Sequence, residues 1–124
     1  MTRRATCHCG AVELALDMAE GPEGIVDPRR CDCSMCRRRG TVVASVPLAA
    51  LRVVRGEDAL RLYRFGTRVA EHWSCGVCGI QTHHRRRSNP EEYGVNLGCI
   101  DGVDIRAYRD VPLLDGIDHP SDTT

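Results

Sequence analysis

The chain has 124 residues, and its 17 basic side chains balance its 17 acidic ones, so the net charge at neutral pH is zero. This balance argues against nucleic acid or an anionic membrane as the main partner. No stretch is apolar for long enough to span a membrane, and residues 1–5 lack the apolar run of a signal peptide, so we expect a cytoplasmic protein. The length suits one domain over residues 1–124, with a core at about 6–119 and a flexible tail at 120–124.

Strands dominate the predicted secondary structure. Apolar side chains alternate with polar or small ones over residues 11–17, which is the period of a half-buried strand. Residues 25–26 begin a short strand that leads to Cys31. Segments rich in β-branched or alternating residues predict further strands at 41–46, 51–54, 60–65, 69–73, 80–85, 93–100 and 103–108.

Helix is limited to short turns. Ser34 can cap a helical turn over residues 35–39 that ends at Gly40, and residues 47–50 form a single turn. No segment has sustained helical periodicity, so we predict an all-β domain with minimal helix.

The cysteines carry the strongest functional signal. Cys31, Cys33 and Cys36 lie within six residues, and a Cys-x-Cys pair is too short to close a relaxed disulfide ring. Metal ligation is the better interpretation, because thiolates are the usual ligands of structural zinc. With one Trp, one Phe and three Tyr available for a core, the domain is expected to depend on zinc for its stability.

Four cysteines outside this cluster can form one complete zinc site. They occur as a Cys-x-Cys and a Cys-x-x-Cys motif, each followed by a glycine that can adopt a positive φ: Cys7, Cys9, Cys75 and Cys78. Such a zinc would link the first strand to the middle of the chain and close a long loop. We therefore predict a structural role for this site.

Cys31, Cys33 and Cys36 then remain as a set of three, which leaves one coordination position of a zinc open. A zinc with three thiolates is a weak electrophile towards water, and a soft substrate thiol suits it better. A thiol bound there would lose its proton and could attack a small electrophile. The alternative is a second structural zinc, completed by Cys99 or a histidine.

The basic run at residues 83–87 has two interpretations. With Arg37, Arg38 and Arg39 it can bind an anionic substrate. It can equally be a solvated strand edge that is kept charged to prevent pairing between sheets.

Three single residues are further candidates. His72 can hydrogen-bond to a zinc ligand and orient it without binding the metal itself, and a simple strand position is the alternative. Cys99 continues the alternation of Val95 and Leu97, which predicts a buried thiol rather than a ligand. His119 can reach the open site as an acid or base.

Four motifs together resemble the glutathione-dependent formaldehyde-activating enzyme family, to which the centromere protein V domain also belongs. They are the segment 7–12, the Cys-x-Cys-Ser-x-Cys motif at 31–36, the knuckle at 75–79 and the segment 87–90. The resemblance extends from about Thr6 to Asp122. It implies a β-tent fold of packed antiparallel sheets with two zinc sites.

The resemblance also implies functional roles. Cys7, Cys9, Cys75 and Cys78 match the family's structural ligands, and Cys31, Cys33 and Cys36 match its catalytic ones. Zinc is the expected cofactor, at two ions per chain, with partial occupancy of the second site as the alternative. The expected substrates are a thiol such as glutathione and formaldehyde or another small aldehyde, which combine in the reverse of a carbon–sulfur lyase step.

Asp32 and the arginine clusters are the two features that leave another function open. Asp32 stands where the family usually has Asn, and it adds a carboxylate beside a site that is already anionic. The alternative function is a non-catalytic zinc module that binds a protein or nucleic acid, which the arginine clusters favour. The neutral charge and the scarcity of aromatic residues for base stacking oppose it.

Overall fold

The computed structural model describes residues 2–65, 68, 70–86 and 89–114. Ten strands occur in this part of the chain: β1 (Thr2–Thr6), β2 (Glu13–Asp17), β3 (Arg30–Cys31), β4 (Val43–Pro47), β5 (Leu51–Arg55), β6 (Leu60–Tyr63), β7 (Glu71–Cys75), β8 (Gln81–Arg85), β9 (Glu92–Asn96) and β10 (Leu113–Leu114). The predicted all-β fold is confirmed.

Two antiparallel sheets account for most of the strands. One has three strands in the order β1-β2-β5, and the other has five in the order β4-β9-β8-β7-β6. The short strands β3 and β10 form a separate parallel pair.

Helical structure is brief, as predicted. The α-helix α1 covers Ser34–Arg39, and single 3₁₀ turns cover Pro22–Gly24, Leu48–Ala50, Glu57–Ala59, Leu97–Cys99 and Ile105–Tyr108. A helix with the length and apolar character to cross a membrane is not found in the described part of the chain.

The hydrophobic core is built from the apolar positions of both sheets. Leu14 and Leu16 of β2 are almost completely buried, as are Ala44 and Val46 of β4 and Val95 of β9. Because side chains alternate between the two faces of a strand, one face of each sheet packs into the core. The removal of their apolar surface from water is the main contribution to folding.

The other face of the five-stranded sheet carries a polar row that crosses all five strands. Pairing places these residues side by side in the order Ser45, Gly94, His84, His72 and Tyr63. The glycine is required by a close approach, since a Cβ atom built there would lie 2.4 Å from Cε1 of His84. This polar face forms one wall of the cavity described below.

Several predicted boundaries are wrong, and the first is at the amino end of the chain. β1 was not predicted, because its buried Arg3 hides the alternating pattern. The guanidinium of Arg3 donates to the carbonyl oxygens of Ala19 and Gly21, each at 3.1 Å. These hydrogen bonds compensate for the burial of the charge.

Local side-chain hydrogen bonds explain two errors near the carboxyl end. The predicted strand at 93–100 ends at Asn96, whose side chain accepts from the backbone N–H of Gly98 and begins a 3₁₀ turn. The predicted strand at 103–108 is a 3₁₀ turn instead, and Asp104 caps it by accepting from the backbone N–H of Arg106. Short polar side chains favour such turns over a ladder.

Two errors flank the cysteine triplet. Residues 25–26 are not in a strand, and the chain reaches Cys31 through β3 only. The cap of α1 is Cys33 rather than Ser34, because the thiol of Cys33 accepts from the backbone N–H of Cys36 at 3.3 Å. Gly40 ends the helix with φ +65°, as predicted.

The strand-edge interpretation of the basic run is wrong for His83–Arg85. These residues belong to β8, which lies between β7 and β9 in the interior of the sheet. Five predicted features lie outside the described residues: Val69, Arg87, Ser88, His119 and the tail at 120–124.

We expect Gly94→Ala to lower the free energy of unfolding by about 1–3 kcal/mol, because the new methyl group must displace the half-buried ring of His84. The control is Gly98→Ala, where the nearest atom would lie 3.5 Å away in ordinary contact. Denaturant unfolding of both variants measures the difference. Equal stability of the two variants would contradict the close approach.

Candidate metal and substrate site

The four predicted structural cysteines come together from two different sheets. Cys7 and Cys9 lie in the connection between β1 and β2, while Cys75 ends β7 and Cys78 lies in the turn to β8. Their sulfur atoms all lie within 4.8 Å of one another. The group therefore joins the three-stranded sheet to the five-stranded sheet.

The spacing of these sulfurs fits a tetrahedral zinc. The Sγ atoms of Cys7 and Cys9 are 3.7 Å apart, and those of Cys9 and Cys75 are 3.8 Å apart. Zinc binds thiolates at about 2.3 Å, which places the sulfurs of a tetrahedral site about 3.8 Å from one another. None of the eight cysteines of the chain forms a disulfide. The donor set therefore has both the chemistry and the spacing that zinc requires.

Backbone N–H groups support the negative charge of these sulfurs. Val12 donates to Sγ of Cys7 at 3.3 Å, and Val77 donates to Sγ of Cys75 at 3.4 Å. Hydrogen bonds from the backbone of Cys9 and Ile80 lower the pKa of the Cys78 thiol to about 6. Such hydrogen bonds favour the thiolate, which is the form that binds a metal.

The second group, Cys31, Cys33 and Cys36, is held by two local structures. Cys31 ends β3, which is paired with β10, and the backbone N–H of Asp32 donates to the carbonyl of Leu114 at 3.1 Å. Cys33 and Cys36 lie at the start of α1. The three sulfurs lie within 4.8 Å of one another and can hold a metal ion.

A shared hydrogen bond with Cys31, followed by burial, raises the pKa of the Cys36 thiol well above its usual value. The three sulfurs therefore cannot all carry charge without a cation near them. A soft divalent ion such as zinc fits this donor set.

The second group differs from the first in that it lines a cavity of about 100 Å³. The rest of the lining combines cations, polar groups and apolar walls: Arg29, Arg39, Thr41, Val43, Phe65, Ala70, His72, Gln81, His84, Arg86 and Leu114. His72 and His84 come from the polar row of the five-stranded sheet. The cavity thus lies between that face of the sheet and the cysteine triplet.

Among the residues that the structure describes, Arg39 is the cavity arginine for which no carboxylate partner is found. It lies one helical turn beyond Cys36, and its Nη1 contacts Nδ1 of His72 at 3.1 Å. Within the described residues it forms no ion pair with a carboxylate. Its charge is therefore available to the thiolates and to an anionic substrate.

Arg29 and Arg86 are held mainly by protein groups. Nη1 of Arg29 donates to Oγ of Ser45 at 2.8 Å, and Nη1 of Arg86 donates to Oε1 of Glu92 at 2.6 Å. Asp27 lies 3.5 Å from Arg29 and 3.7 Å from Arg86. The negative charges of Asp27 and Glu92 offset the repulsion between the two guanidinium groups, which lie in the same partly buried region.

The predicted arginines do not all reach the cavity. Arg39 and Arg86 line it, whereas Arg37 and Arg38 are exposed. Arg85 donates to the carbonyl of Pro90 instead. The position of Arg39 and Arg86 in the lining therefore supports anion binding for these two arginines only. Arg87 lies outside the described residues.

Of the three remaining candidates, Cys99, His72 and Asp32, only His72 lines the cavity. Cys99 is buried and its thiol faces the carbonyl of Gln81 at 3.7 Å, outside both metal-binding groups, as predicted. His72 is buried and lines the cavity. Asp32 is not among the lining residues, although its position in the triplet suggested a carboxylate at the site.

Arg29 and Gln81 were not predicted as site residues. Neither belongs to the cysteine motifs, and only their positions in the fold bring them to the cavity. A sequence signal exists only for Gln81, which follows the Cys-x-x-Cys knuckle closely and begins β8.

Comparison with known proteins agrees with this architecture. The profile of a family described as glutathione-dependent formaldehyde-activating enzyme matches residues 2–111. The chain is also similar to a Rhodobacter sphaeroides protein that was a structural genomics target and whose crystal structure is known. The two chains share 56% sequence identity, and their structures superpose with a TM-score of 0.82. That similarity covers 90% of this chain and 99% of the other. The resemblance inferred from the cysteine motifs is confirmed, and the chain belongs to the glutathione-dependent formaldehyde-activating enzyme family.

Proposed function

We propose that the chain catalyses the reversible addition of a substrate thiol, such as glutathione, to formaldehyde or another small aldehyde. The observation that carries the proposal is the position of Cys31, Cys33 and Cys36, which form a three-thiol group in the wall of a cavity. The four-thiol group does not line that cavity. Family membership supports the same chemistry.

In this proposal each cysteine group holds one zinc ion. Cys7, Cys9, Cys75 and Cys78 hold a structural zinc with four protein ligands. Cys31, Cys33 and Cys36 hold a second zinc with one open coordination position. A zinc bound there lowers the pKa of a substrate thiol, so that the thiol is a thiolate at neutral pH.

The cavity residues bind and orient the substrates. Arg39 offsets the negative charge that accumulates when a thiolate enters a site of three thiolates. Val43, Phe65 and Leu114 provide apolar walls beside the reacting atoms, while the open side of the cavity admits the substrates and solvent. The sulfur electron pair forms the carbon–sulfur bond, the carbonyl π pair moves to oxygen, and that oxygen takes up a proton, so the product is a hemithioacetal.

The alternative of a nucleic-acid module has less support. Arg29, Arg39 and Arg86 line the cavity and do not form an exposed basic surface that could follow a nucleic-acid backbone. The net charge is zero, and a phosphate-binding surface needs an excess of basic residues. A cytoplasmic location stays a prediction.

Cys36→Ser is expected to remove the second zinc and the catalysed reaction while the protein stays folded, because the four-thiol group is intact. Two-dimensional exchange NMR with ¹³C-formaldehyde and glutathione measures the rate above the spontaneous reaction, and elemental analysis measures the zinc content. The control is Cys99→Ala, which removes a buried thiol outside both groups. A Cys36→Ser variant that accelerates the reaction as much as the wild type would refute the proposal.

Cys75→Ala is expected to abolish the structural site and to destabilise the fold severely, since metal binding at a structural zinc site contributes about 10 kcal/mol or more. Cys99→Ala is the matched control, because both thiols are buried. We expect that variant to keep its zinc and to lose only about 1 kcal/mol. Thermal unfolding combined with zinc analysis measures both quantities, and similar losses in the two variants would argue against the structural zinc.

A further inference from the structure

Three buried nitrogen atoms around the cavity have no hydrogen-bond partner among the described residues. They are Nε2 of His72, Nε2 of Gln81 and Nδ1 of His84, and all three residues line the cavity. An unsatisfied buried polar group costs about 1–3 kcal/mol, so native proteins rarely keep one without a reason. Their concentration at one cavity indicates a ligand with hydrogen-bonding atoms.

The contact with Arg39 fixes the tautomer of His72. Nη1 of Arg39 lies 3.1 Å from Nδ1 of His72. A guanidinium has only donors, so Nδ1 must be the acceptor in this hydrogen bond. The proton of a neutral imidazole then lies on Nε2, and this N–H is the group without a partner.

The ring of His72 is also held in place and kept neutral. It stacks between Phe65 and His84, with both ring centroids at 5.4 Å. Burial and the nearby charge of Arg39 lower the pKa of His72 to about 4. The imidazole is therefore uncharged at neutral pH and cannot easily rotate to find another acceptor.

We propose that Nε2–H of His72 donates a hydrogen bond to the carbonyl oxygen of the aldehyde. This hydrogen bond becomes stronger as the oxygen gains negative charge and becomes an alkoxide. This inference rests on the proposed function and assigns a catalytic residue to it. His72 keeps its proton, and the alkoxide takes its proton from solvent. A fixed donor that acts where negative charge develops lowers the barrier of the chemical step more than it improves substrate binding.

A purely structural role for His72 is the competing explanation. Its stacking contacts with Phe65 and His84 support the polar face of the sheet, and a phenylalanine could replace these contacts. The hydrogen-bond donor, in contrast, would be lost in that replacement. The two explanations therefore differ in the rate of the chemical step and not in stability.

The first test does not depend on activity. ¹⁵N NMR of the histidine-labelled zinc protein at pH 7 reports which ring nitrogen carries the proton. We expect His72 to be neutral with its proton on Nε2, and we expect Arg39→Met to allow the other tautomer. A proton on Nδ1 in the wild type would overturn the inference.

The second test compares His72→Phe with His72→Gln, which restores a donor near the position of Nε2. We expect His72→Phe to reduce the maximal rate of adduct formation about 10²-fold, the effect of removing one oxyanion donor. Glutathione affinity should stay within twofold of the wild type, and His72→Gln should recover part of the rate. The matched control is His83→Phe, because His83 is buried on the core side of β8 and does not line the cavity.

The outcomes separate the two levels of the proposal. If the wild type does not accelerate the reaction of glutathione with formaldehyde, the proposed function fails. If the wild type accelerates it and His72→Phe is as fast, the function stands and the role of His72 is refuted. If His72→Phe does not fold, the His72→Gln rate and the NMR tautomer still decide the question.

Discussion

The four-thiol group of Cys7, Cys9, Cys75 and Cys78 is the contact on which the rest of the structure depends, because its ligands come from two sheets. It fixes the connection between β1 and β2 against the turn between β7 and β8. The core between the sheets contains mainly aliphatic residues and few aromatic ones. A small domain of this kind buries limited apolar surface, so a metal ion held by these four thiols would contribute a large share of its stability.

The five-stranded sheet has two different faces. One face supplies Ala44, Val46 and Val95 to the core, while the other presents His72 and His84 to the cavity. Strand alternation allows this division, since neighbouring residues such as His83 and His84 point to opposite sides. The cysteine triplet lies opposite this polar face across the cavity, and the sheet positions the polar groups that line it.

The cavity combines groups that would be unstable if they were isolated. Three thiols, the guanidinium of Arg39 and the unpaired Nε2–H of His72 lie around a volume of about 100 Å³. The positive charge of Arg39 attracts negative charge on Cys36, and a low-dielectric surrounding strengthens that attraction. The buried nitrogen atoms without partners leave hydrogen-bonding capacity in the lining of this cavity.

The sequence by itself determined the all-β class, the division of seven cysteines into groups of four and three, and the burial of Cys99, because these depend on short spacings and on strand period. It did not determine that β1 exists, that β8 is an interior strand, or that Arg29 and Gln81 reach the cavity. These features depend on which strands pair and in which register, and a shift of one residue reverses every side chain of a strand. The contact between Arg39 and His72, 33 positions apart, was therefore decided only by the tertiary structure.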